Sequence, residues 1–394
     1  MTSRERFLKV LKGETPDRVP VALFMADQGH FITQIYPDID PWDYDANIDK
    51  IIEFSKEMGA DVFLRVLYSV YGSIYDSLHV HYGGVDVSQQ AENWEVETTE
   101  YQRGNSKVYH SVIRTPEGNL EQEFSINNLR PGTYMYACTK HPVTDEKTLD
   151  IVMKYEPPMP EAFPKRAKKK ISELKQKVGD DGIIGTWAPH GPFNNASLVV
   201  SLSELYSLFH TDPEFYEKLM NWSNKRFREY AKALVAAGPD IMHIGGNVPG
   251  GFLGKKTYDT YILPYEREHV EVCQAPGVYG MYHNCGEIMN LVESYINLGI
   301  NIVEPFSPKH LGDADLAKAK EMVDNRYVML GGVDQVNILQ NGTPEQVIEA
   351  TKRTVEIGKP RGKFILQSAD FLEYGTPVEN LEVFVKTGIE HGKY

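Results

Sequence analysis

The tripeptide His283-Asn284-Cys285, inside Tyr282-His-Asn-Cys-Gly286, is the part of this chain best suited to chemistry. Residues two apart on an extended segment point the same way, so an imidazole and a thiolate can close on one small cation. Zinc is the natural occupant, because it takes mixed nitrogen and sulfur donors and becomes catalytic when three protein ligands leave a position open. The bland alternative is a core histidine beside a cysteine acting as a small hydrophobe. A third ligand has to come from elsewhere in the chain. Asp370 is the leading candidate and Glu304 the second, whereas the neutral hydroxyl of Ser368 is a poor zinc donor.

The elements that would position these groups alternate along the chain. Short aliphatic or β-branched runs at 19–24, 61–67, 182–186, 240–244, 277–282, 300–303, 326–330 and 363–366 each precede a loop and a helix-period segment. Eight such units predict an α/β fold, a (β/α)8 TIM barrel occupying residues 1–394. Helices are expected over 47–58, 213–236, 258–273, 287–297, 313–323, 344–357 and 377–390. Thr343-Pro344 and Thr376-Pro377 read as helix starts, a capping hydroxyl followed by a proline pre-set for the first turn. The gap between the second and third runs is too long for one helix. Within it, Arg103-Gly-Asn-Ser and Pro116-Glu-Gly-Asn break strand-like segments, which predicts a β-hairpin insertion over 76–137.

In a TIM barrel the residues just past each strand converge on one open face. That rule collects Asp27 and His30 after the first strand, Trp187 and His190 after the third, and His243 and Asn247 at the fourth. It adds His283 and Cys285 at the fifth, Glu304 and Phe306 at the sixth, Asp334 after the seventh, and Ser368 and Asp370 after the eighth. His190 and His243 are the catalytic candidates, with a packed barrel-interior histidine the competing reading for His243 and a pocket wall for His190. Asp27, Trp187, Asn247 and Phe306 are the expected substrate contacts, though an aspartate after a strand, such as Asp27 or Asp334, is commonly a loop cap. Cys138 and Cys273 are read as packing residues. His79, His81, His110 and His141 belong to the insertion or its edges, where a surface or lid position is the default.

Composition narrows the partners. The formal charge of −14, from 55 acidic against 41 basic side chains, repels a phosphate backbone, so no nucleic-acid partner is expected. No stretch of about 18 uncharged apolar residues occurs, which argues against a membrane span. Three scattered cysteines imply no disulfide framework, and the charged N-terminal helix no export signal, so a cytoplasmic location is expected. Neither a Walker-type phosphate loop nor a dinucleotide fingerprint is present.

The opening Ser3-Arg-Glu-Arg-Phe-Leu-Lys-Val-Leu-Lys-Gly-Glu-Thr-Pro-Asp-Arg-Val-Pro20 resembles the start of the uroporphyrinogen decarboxylase superfamily, particularly its corrinoid-dependent methyltransferase branch. Thr211-Asp-Pro-Glu-Phe-Tyr216, Tyr282-His-Asn-Cys-Gly286, Leu330-Gly-Gly-Val-Asp334 and Thr376-Pro-Val-Glu-Asn-Leu381 extend the resemblance. The Arg-Gln-Ala-Gly-Arg clamp of true decarboxylases is replaced here by Phe24-Met-Ala-Asp-Gln-Gly-His30. The resemblance therefore implies a zinc methyltransferase of anaerobic one-carbon metabolism, with His283 and Cys285 as metal ligands and a corrinoid (cobalamin) carried by a partner protein. Methylcobamide:coenzyme M enzymes have a second cysteine where this chain reads Ser368-Ala-Asp370-Phe. One thiolate fewer leaves a stronger Lewis acid, which suits ether activation.

The expected reaction is transfer of a methyl group from a methoxylated aromatic substrate to Co(I) of the partner, an O-demethylase step. The alternatives are methylcobamide-dependent transfer to a thiol or other small acceptor, a metal-free decarboxylase, and a non-catalytic binding protein. The expected partners are a corrinoid protein, a small-molecule methyl donor and a second copy of the chain in a homodimer.

Overall fold

The computed structural model describes every residue except 27–30, 68, 82, 131–132 and 246–249. Seven parallel strands form one curled sheet: β1 (Val62–Val66), β6 (Gly182–Trp187), β7 (Ile241–Gly245), β8 (Tyr279–His283), β9 (Ile302–Glu304), β10 (Val328–Leu330) and β11 (Phe364–Ile365), in that spatial order. The run at 19–24 supplies the eighth position without becoming a regular strand. Val21 bridges Leu366 on one side and Ala26 bridges Arg65 on the other, both parallel, and so link the two edges of the sheet. Pro20 explains the irregularity, because it has no N–H for the ladder; its carbonyl accepts from Leu366 N at 2.9 Å instead.

Strand periodicity sorts the barrel interior into layers. Ala22, Phe63, Ile183, Ile241, Met281, Ile302 and Ile365 share one apolar cluster with Phe7, Val10 and Leu11 of the N-terminal helix Ser3–Lys12. That helix plugs the bottom of the barrel; its start is fixed by a capping box between Thr2 and Glu5. Two residues further along the strands, the same inward phase turns polar: Arg65 follows Phe63, His243 follows Ile241, His283 follows Met281, and Glu304 follows Ile302. The change from apolar to polar along a single alternation is what places the site.

Between β1 and β6 the chain builds a second, antiparallel sheet of β2 (Glu95–Arg103), β3 (Ser106–Thr115), β4 (Gly118–Arg130) and β5 (Thr133–Lys140), paired in sequence order. Both turns expected at 103–106 and 116–119 are present. The insertion is four strands rather than a hairpin, because β5 pairs along β4 and carries the sheet beyond residue 137 to Lys140.

The helix punctuation is mostly as expected. Thr343 accepts from Gln346 N and forms a capping box ahead of Pro344. Thr376 differs: its hydroxyl donates to Glu373 O at 2.7 Å, and the last helix, Val378–His391, begins after Pro377. The expected helix over 213–236 is two, Pro213–Arg226 and Arg228–Ala237, divided at Phe227 (ψ 0°). Among the described residues no helix is long and apolar enough to cross a membrane.

Candidate metal centre

β8 ends at His283 and the chain continues extended to Cys285, so the two side chains stay in phase as the spacing requires. One donor atom from each of His283, Cys285 and Asp370 lies within 4.8 Å of the other two. Asp370 arrives from the loop after β11, held where its Oδ1 accepts from Phe371 N at 2.8 Å. A nitrogen, a sulfur and a carboxylate oxygen at that spacing can close on one divalent cation and leave a coordination position free. The cavity beside them has a volume of about 680 Å3, with Cys285, Asp370, Ser307, His310, Gln335 and Phe252 on its wall. The donors therefore meet a space large enough for a small organic molecule.

His283 is held from behind. Its Nδ1 lies 3.1 Å from Glu304 Oε1. Burial alone would push the Glu304 carboxyl up, but Arg65 and the two neighbouring histidines hold it well below the usual carboxylate range. Glu304 is therefore an acceptor, His283 Nδ1 carries the proton, and Nε2 is left for a metal. Glu304 is in turn gripped by both Arg65 terminal nitrogens at 2.6 Å and by Gln367 Nε2 at 2.9 Å. The Arg65 guanidinium sits over the Phe24 and Phe63 rings, 3.6 and 4.3 Å from their centroids. For His283 itself, burial lowers the imidazole, yet hydrogen bonds to Cys285 and Glu304 outweigh it and lift the group to about 10. Burial raises the Asp370 carboxyl. Without a metal the cluster favours protonated groups, so a cation held there would release protons on binding.

A second grouping, His243, His283 and Glu304, also falls within 4.8 Å. Both Glu304 oxygens already face a guanidinium there, so a dication would be repelled by Arg65. The electrostatics favour the Cys285 side.

The two catalytic candidates lie next to the cluster. The His243 ring stacks on Trp187 with centroids 3.3 Å apart and approaches His283 at 5.2 Å. Its Nε2 is 3.1 Å from Glu304 Oε1 but out of line for a hydrogen bond, and neither ring nitrogen has a hydrogen-bond partner among the described residues. Burial lowers it to about 3, so it is neutral near pH 7. His190 is lowered to about 4, also by burial, and its Nδ1 donates to Gly245 O. A carbonyl can only accept, so the proton of the neutral His190 ring is on Nδ1.

Other expected contacts are distributed differently. Trp187 is buried and packs with Leu67 against Tyr44, Tyr136 and Phe371, so the insertion reaches the barrel mouth through Tyr136. Phe306 is buried in the main core, and its backbone N–H bonds Leu330 O at 3.2 Å. Asp27, His30 and Asn247 lie outside the described residues. Asp334 is a loop cap: its Oδ1 accepts from Val336 N and Asn337 N. His79 is no surface residue; it is buried with Nδ1 3.0 Å from Gly84 O. Arg65 and Gln367 were not anticipated, although an arginine within the apolar strand Val-Phe-Leu-Arg-Val was a visible signal.

The uroporphyrinogen decarboxylase (URO-D) family model matches residues 133–391, about two thirds of the chain and all of the cluster. The chain belongs to this family. Among curated proteins it is similar to the methylcobamide:CoM methyltransferase MtbA of Methanosarcina acetivorans, 30% identical over 190 residues, 48% of this chain and 53% of that protein. It is also similar to the methylated-thiol–coenzyme M methyltransferase of Methanosarcina mazei, 25% identical over 196 residues and half of each chain. The chain thus spans about half the length of the curated relatives it matches. A solved structure described as a methyltransferase from Methanosarcina mazei superposes with a TM-score of 0.67, covering 99% of both chains at 18% identity, which establishes the shared fold.

Proposed function

We propose that this chain transfers a methyl group from a methoxylated aromatic substrate to the Co(I) corrinoid of a partner protein, with His283, Cys285 and Asp370 holding zinc. The observation that carries the reading is the convergence of these three donors within 4.8 Å at the wall of an open cavity. Relatives named for corrinoid-linked methyl transfer supply the reaction class. The donor set fits zinc in type and number. When bound, the ion supplies a Lewis acid for an ether oxygen, and a set with one thiolate and one carboxylate leaves it more acidic than a two-thiolate set would.

The remaining work belongs to the chain's own residues. Glu304 fixes the His283 ring and its tautomer, and Arg65 keeps Glu304 charged and in place. Trp187 and His243, stacked as one plate, wall the site from the barrel interior. In the transfer the O–CH3 bond breaks, the oxygen keeps its electron pair as a phenolate, and Co(I) supplies the pair for the new cobalt–carbon bond.

The test is to incubate the protein with reduced cobalamin and separate panels of methoxyarenes, methanol, methylthiols and methylamines, following methylcobalamin by absorbance. Turnover with methoxyarenes supports the reading. Turnover confined to thiols, or none with any donor, refutes it.

A further inference from the structure

We infer that Gln335 selects the substrate: its side-chain amide oxygen is an acceptor to be filled by a ligand that carries an O–H or N–H group. The inference rests on the cavity beside Cys285 and Asp370 being the substrate site proposed above. Gln335 is on the wall of that cavity and is only 7% exposed, yet its Oε1 has no hydrogen-bond partner among the described residues. A buried amide oxygen without a donor costs roughly 1–3 kcal/mol, a cost that folding alone has no reason to retain.

The local backbone shows why the residue is held there. Asp334, capping through Val336 N and Asn337 N and bonding Asn337 Nδ2 at 2.8 Å, fixes the start of the turn Gln335–Gln340. Leu339 N closes the turn on Asp334 O at 3.0 Å. Gln335 is thus the first residue after a capped turn, which fixes where its backbone meets the cavity wall. The neighbouring groups reinforce the preference. Asp370, on the same wall, is acceptor-only when ionised. Two acceptors on one wall, Gln335 Oε1 and Asp370, favour ligands with a polar hydrogen over ethers with acceptors alone. A site built to bond a substrate hydroxyl rejects the analogue lacking it more strongly than an apolar pocket rejects one extra group.

The experiment is a calorimetric titration of the full-length zinc-loaded protein with 2-methoxyphenol and with methoxybenzene, for wild type, Gln335→Met and Gln335→Glu. Circular dichroism melts and metal analysis establish that each variant is folded and loaded. Wild type is expected to bind the hydroxylated ligand on the order of tenfold more tightly. Gln335→Met should lose that preference, and Gln335→Glu, which keeps an acceptor in place, should retain it. Equal binding of the two ligands by wild type overturns the inference, as does an unchanged preference in Gln335→Met. Because binding is read without turnover, a Gln335-dependent preference in a protein that transfers no methyl group upholds the inference while the proposed reaction fails.

Discussion

The two ends of the barrel each bury a carboxylate against arginine, and they use it differently. At the bottom, Asp61 receives Arg6 Nη1 and Arg18 Nη1 at 2.6 Å, Ser3 Oγ at 2.6 Å and the Val21 N–H at 2.8 Å. Nearby Asp240 is forked by Arg4 at 2.7 and 3.0 Å and accepts from Ile184 N. At the top, Glu304 also has its arginine, but the polar groups at this end are incompletely bonded: His243 Nδ1, Thr186 Oγ1, Ser368 Oγ and Gln335 Oε1 lack hydrogen-bond partners among the described residues. The bottom spends its polar groups on holding the N-terminal plug to the sheet. The top leaves its polar groups open to a cation and a ligand, as the two faces of this fold divide stability from chemistry.

The sharpest way to break the comparison is at the bottom. Asp61→Ala takes the carboxylate from Arg18, leaves Arg6 with Asp17 alone and strips the Val21 N–H of its acceptor, and chemical denaturation should show a loss of about 3 kcal/mol with zinc content unchanged. A fall in zinc without a fall in stability would contradict the division.

Next in size is a pH effect just behind the site. Glu266 accepts from Tyr258 and Tyr282 hydroxyls at 2.8 and 2.6 Å through Oε2, while its Oε1 is unpartnered, and burial raises the carboxyl from 4.5 to about 7. The folded state therefore holds this proton more tightly than the unfolded chain. Its stabilising contribution is complete below pH 4.5 and is lost as pH rises to 7, by up to about 3 kcal/mol. Gln at this position cannot titrate, so Glu266→Gln should flatten the stability profile over that window, read by urea midpoints at successive pH values.

At the top, Glu304→Gln removes the anion that orients His283. Zinc affinity measured against a competing chelator should weaken about 10–100-fold. The smallest effect has the opposite sign: Ser368→Ala deletes a buried hydroxyl without a partner and should raise the melting temperature, by about 1 kcal/mol in stability.

These contrasts also show what a linear sequence can reveal. The His283–Cys285 pair was legible because strand geometry is local; two residues on one strand end keep their phase whatever the rest of the fold does. Asp370 was legible as a strand-end carboxylate in a fold whose strand ends converge. Arg65 was not placed, because its partner Glu304 is 239 residues away and only barrel closure brings them together. The burial of Phe306 in the core was likewise not legible, because nothing in its sequence neighbours records it. The fourth strand of the insertion was missed although Pro131-Gly132, between β4 and β5, is itself a turn signal in the sequence.

Metal content tests the central claim most directly. The protein purified from zinc-supplemented growth, analysed by inductively coupled plasma mass spectrometry, should carry about one zinc per chain. Cys285→Ala and Asp370→Ala should each lose it, and methyl transfer by Cys285→Ala should fall by a factor of about a thousand, the several kcal/mol a Lewis acid contributes. A folded wild-type protein that takes up no zinc, or variants that keep both the metal and the activity, would contradict the account.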